Sequence, residues 1–73
     1  MIKDRSLTLL GLNVRRLRES NNFTQEALAE RCELDSTYIS GIERGVRNPS
    51  LLSLIRLAKG LNSSVSSLCE GVE

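Results

Sequence analysis

The chain has no histidine, one proline, two cysteines and no long apolar run in its 73 residues. Each shortage excludes something. Without histidine, no Ser–His or Cys–His pair can activate a nucleophile. Two thiols do not complete a tetrahedral metal site, and the separation of Cys32 and Cys69 matches no zinc spacing. No Gly-rich phosphate loop is present, and a chain this short leaves little room for a pocket. No enzyme activity, metal or other cofactor is therefore expected. The apolar stretches fall far short of the roughly 20 residues that span a bilayer, so no membrane partner is expected. The opening MIKDRSLTLL lacks a sustained apolar core and a small-residue cleavage site. A cytoplasmic location is therefore expected, where Cys32 and Cys69 would stay reduced.

What is present describes a small soluble domain. About 40% of residues are apolar and 26% charged, the balance of a globular chain. Residues 1–73 are expected to form one domain with a thin core, which dimerisation would reinforce. Net charge is only +1, so total charge makes no case for nucleic acid. The distribution is more informative. Basic residues gather at Lys3, Arg5, Arg15, Arg16 and Arg18, and again at Arg44, Arg47, Arg56 and Lys59. Acids gather between them at Glu26, Glu30, Glu33 and Asp35. One basic and one acidic surface can result.

Five helices and no strand are expected, over about residues 8–20, 25–32, 36–44, 51–59 and 65–69. Leu10, Val14 and Leu17 recur at i, i+4 and i+7 on the first. Thr24 caps the second, where Phe23 and Leu28 can form a hydrophobic staple. Asp35 or Ser36 caps the third, and Gly45 offers its left-handed stop. Asn48-Pro49-Ser50 makes a turn and a cap for the fourth, whose buried face is expected to be Leu51, Leu54, Ile55, Ala58 and Leu61.

The segment TQEALAERCELDSTYISGIE, residues 24–43, is the most informative. Leu28, Ala29, Cys32, Leu34, Ile39 and Ile42 let two short helices cross steeply around a shared core. Ser36, Thr37 and Ser40 then project from the opposite side of the second helix, free to enter a major groove. Their short hydroxyls are weak, adaptable readers, so DNA shape would carry part of any specificity. A helix start rich in Ser and Thr for capping alone is the alternative.

VRRLRES, FTQEALAERCELDSTYISGIERG and RNPSLLSLIRLAKGL together resemble the Cro and phage-repressor (xenobiotic-response-element type) family of helix-turn-helix proteins. TYISGIERG followed by RNPSL further resembles the controller proteins of restriction–modification systems. The resemblance implies an all-α, five-helix, lambda-repressor-like fold with the helix-turn-helix at helices 2 and 3. It implies a homodimer on a palindromic operator in double-stranded DNA. By position, Ser36, Thr37, Ser40 and Gly41 would read bases. Gln25, Tyr38, Arg44, Arg47 and Asn48 would meet the backbone, a thymine methyl or the adjacent minor groove. Arg18 and Glu43 lie where the family pairs helix 1 with the end of helix 3. Glu26 and Glu30 lie where some phage repressors touch RNA polymerase; a solvated acidic face is the plainer account. Two departures stand out. Glu33 occupies a turn position that usually carries Gly, and Ser36 stands where several controllers have Arg, so no target sequence can be borrowed.

Leu52, Ile55, Leu61, Val65, Leu68 and Val72 exceed what so small a core should absorb. They are expected to form a two-fold interface. The reading is a dimeric DNA-binding transcriptional regulator, either activator or repressor, most like a restriction–modification controller. A prophage or plasmid repressor, an antitoxin, or a helical protein-interaction module without DNA are the alternatives.

Overall fold

The computed structural model describes residues 4–73; Lys3 of the first basic cluster lies outside them. Five helices follow one another: α1 (Arg5–Ser20), α2 (Gln25–Cys32), α3 (Ser36–Glu43), α4 (Leu51–Gly60) and α5 (Val65–Leu68). Each begins at a side-chain cap that satisfies a backbone donor the helix leaves orphaned. Asp4, Thr24, Asp35, Ser50 and Ser64 accept from the amides of Ser6, Ala27, Thr37, Ser53 and Ser67 respectively. Asp4 corrects the expected start of the first helix: it launches α1 at Arg5, ahead of Thr8.

The ends share one device as well. After α1, α2, α3 and α4 the chain passes through a left-handed residue: Asn22 (φ 59°), Glu33 (φ 55°), Gly45 (φ 75°) and Asn62 (φ 54°). In each case the following amide reaches back to a carbonyl five residues earlier, from Phe23 to Arg18, Leu34 to Ala29, Val46 to Gly41 and Ser63 to Ala58. This is the Schellman closure. Asn and Gly suit it; Glu33 does not, and its left-handed backbone costs about 1 kcal/mol. Glu33→Gly is expected to stabilise the fold by about that amount. Thermal unfolding checks this as a rise of about 4–8 °C in Tm, and an unchanged or lower Tm would contradict it.

The core contains Leu10, Val14, Leu28, Ala29, Cys32, Ile39, Ile42, Leu57, Ala58, Leu61 and Leu68. Burial raises the Cys32 thiol pKa above its ordinary value, which keeps it protonated and unreactive. Two expectations for α4 need correction. Leu51 is 65% exposed, whereas Leu57, outside the expected face, is fully buried. Helical side chains lean toward the N-terminus, so Leu51, first in its helix, points past the end of the core. The buried residues are instead Leu57, Ala58 and Leu61, with the half-buried Leu54 packed against them one turn earlier, a spacing of i, i+3, i+4 and i+7. Ile55 is half-buried too, but it is not among the residues packed against the core.

Where α1 crosses α3 the backbones nearly touch. A Cβ on Gly11 would sit 2.6 Å from the Glu43 carbonyl oxygen and closer still to that of Ile42. Only glycine permits that approach, which seats α3 on the scaffold. The short α5 is held from outside. The buried Asn13 amide donates to the Leu68 carbonyl at 2.8 Å and to the Glu70 carbonyl at 2.9 Å, closing the end of α5 against α1. The motif reading missed Asn13, yet it stands at i+3 in the stripe that begins at Leu10. A polar residue at such a position signals a buried hydrogen bond.

Candidate nucleic-acid interface

α3 has two unlike sides. Ile39 and Ile42 on the inner side are 0% and 1% exposed. On the outer side Thr37 is exposed, and Ser36 and Ser40 are half-buried. The Thr37 amide is capped by Asp35 Oδ1 at 2.7 Å, which leaves the Thr37 hydroxyl out of the capping bond. Arg18, Thr24, Gln25, Glu26, Ser36, Thr37 and Ser40 line one open groove between the starts of α2 and α3.

Beneath the groove lies an ion pair. Arg18 Nε donates to Glu43 Oε2 at 2.6 Å, and Arg18 Nη2 donates to Glu43 Oε1 at 3.0 Å. The side chains are 13% and 4% exposed. The Glu43 hydrogen bond raises the Arg18 pKa further above its high ordinary value, against the opposing effect of burial. Arg18 Nη1 also donates to the Phe23 carbonyl at 2.8 Å. Thus one guanidinium ties α1 to the chain entering α2 and to the end of α3. Gln25 Nε2 joins the network, donating to Glu43 Oε1 at 3.1 Å. An amide nitrogen carries two hydrogens, so Gln25 keeps a second donor for another acceptor.

Arg44 folds back onto α3, with its Nε donating to Ser40 Oγ at 3.3 Å. Arg47 and Asn48 are exposed just beyond. Tyr38 packs against the core as a half-buried flank, its hydroxyl 3.4 Å from Ser53 Oγ. Gly41 requires a correction. It is buried, not open to a base, because the Arg47 side chain crosses it.

The expected two-fold surface changes too. Leu61 and Leu68 are 2% and 0% exposed inside the protomer's own core, so they offer nothing to a partner. They close the core where α4 and α5 meet. Leu52 is 71% exposed and Leu51 65% exposed, while Ile55, Val65 and Val72 are half-buried. Leu51 joins the surface that the α4 periodicity had assigned to the core.

Comparison with known proteins agrees with this architecture. The helix-turn-helix family model matches residues 14–68, most of the chain. Control protein C.SmaI of Serratia marcescens is 52% identical over 60 residues, covering 82% of this chain and 71% of that protein. The restriction–modification controller protein C.AhdI of Aeromonas hydrophila superposes with a TM-score of 0.83 at 39% identity, covering 85% of this chain and 94% of that one. The controller protein C.Esp1396I, solved as a tetramer in complex with its natural 35 base-pair operator, gives a TM-score of 0.85 at 37% identity, covering 96% of this chain and 92% of that one. Helix order, the groove at α2 and α3, and identity spread over most of both chains lead to one assignment: this chain belongs to the helix-turn-helix family of restriction–modification controller proteins.

Proposed function

We propose that the chain is a sequence-specific DNA-binding transcriptional regulator, a restriction–modification controller acting as a cytoplasmic homodimer on an inverted-repeat operator. The observation that carries this reading is α3 itself. Two isoleucines and a buried ion pair fix its inner side, while hydroxyls and two back-folded arginines occupy its outer side. Thr37, Ser36 and Ser40 meet base edges; Arg44, Arg47, Asn48 and the free Gln25 donor meet phosphates. Leu51, Leu52, Ile55 and Val65 supply the two-fold contact, which sets two copies of α3 about 34 Å apart, one turn of DNA. Glu26 and Glu30 are exposed one turn apart on α2, a surface for RNA polymerase when the dimer sits beside a promoter.

Selection of genomic fragments by the purified protein, followed by footprinting, tests the reading. Two inverted half-sites are expected. With about six phosphates neutralised per dimer, the binding constant should fall with log salt at a slope near −5. Failure to retain any fragment, or an unstructured footprint, would refute it.

A further inference from the structure

α3 ends by reversing direction. The Val46 amide donates to the Gly41 carbonyl, and the Gly45 amide donates to the Ile42 carbonyl, both at 3.0 Å. This closure lays the next residue, Arg47, alongside Gly41. A Cβ built on Gly41 would run into Arg47 Cγ and lie 3.4 Å from both Cδ and Nε. The Arg47 stem therefore occupies the space a larger residue would fill. Beside it, Arg44 rests on Ser40. Among the described residues Arg47 forms no ion pair, and the nearby Glu43 carboxylate is taken by Arg18.

We propose that Gly41 is a positioning residue: its missing side chain is the seat that holds the Arg47 guanidinium against the DNA-reading face of α3. The proposal rests on the DNA-binding reading above. Glycine in a helix interior is otherwise unfavourable relative to alanine. The obstruction to alanine at Gly41 is a flexible, exposed side chain, not backbone. Gly41→Ala therefore displaces Arg47 while leaving the fold intact.

The test uses a duplex recovered by the wild-type protein from genomic-fragment selection. Wild type, Gly41→Ala, Arg47→Ala and the double variant are titrated against it, and each is melted. Arg47→Ala should weaken binding about tenfold. Gly41→Ala should weaken it several-fold with a Tm no lower than wild type. The double variant should bind no more weakly than Arg47→Ala alone, because the seat has nothing left to hold. Wild-type affinity in Gly41→Ala would overturn the proposal, and so would multiplying losses in the double variant. A lowered Tm in Gly41→Ala would overturn it too, by showing that the glycine serves packing. If wild type recovers no duplex, the DNA-binding reading fails, and the proposal falls with it.

Discussion

Arg18→Met is expected to destabilise the protein by about 3–5 kcal/mol, enough to unfold much of so small a domain. The variant strands the Glu43 carboxylate in a site where it is 4% exposed and has lost its bidentate partner. Gln25 Nε2, at 3.1 Å, is then the remaining side-chain donor to it. A single hydrogen bond from a neutral amide does not replace a bidentate bond from a cation. Arg18→Met/Glu43→Leu should recover most of the loss, because two apolar groups of similar bulk leave no charge uncompensated. Urea unfolding followed by far-UV circular dichroism reads both variants. A loss below about 1 kcal/mol in Arg18→Met would mean the pair behaves as an exposed one. The functional consequence is orientation, since the same guanidinium links α1, the start of α2 and the end of α3.

Leu57→Ala is expected to cost about 2–5 kcal/mol, whereas Leu51→Ala should change stability by no more than about 0.5 kcal/mol at a concentration where the protein is dissociated to the monomer. Leu57 is fully buried and its removal leaves a cavity; Leu51 is 65% exposed. Two leucines of the same helix thus differ by several kcal/mol because of direction alone. Thermal melts separate them easily, at about 4–8 °C per kcal/mol in a domain of this size. Equal losses in the dissociated monomer would mean that α4 is rotated from the orientation described.

The contrast between these leucines shows where reading the chain stops working. Periodicity marks Leu51, Leu54, Ile55, Ala58 and Leu61 as one face; Ala58 and Leu61 are buried and Leu54 packs against them, while Leu51 and Ile55 do not join the core. Periodicity cannot see that the first turn of α4 overhangs it. Leu61 and Leu68 fail the other way. Leu68 is expected on the two-fold surface, and Leu61 both on that surface and on the core face of α4; the junction of α4 with α5 absorbs both. Gly41 carries no side chain to argue from, so its contact with Arg47 emerges only from the tertiary structure.

The order and type of the five helices, the caps at Thr24 and Ser50, the left-handed stop at Gly45 and the helix-turn-helix pattern were legible in the amino acids, whereas the Asp4 cap and the left-handed Asn22 and Asn62 were not read from them. Each depends on groups within a turn or two of one another. Caps satisfy donors two or three residues ahead, and a stripe repeats every helical turn. Tertiary structure alone decided which leucines are interior, how Gly11 lets α1 meet α3, how Asn13 fastens α5 and where Arg47 rests. Those outcomes depend on atoms that distant segments bring into contact, or on the direction the chain takes after a turn. Local propensity carries no information about either.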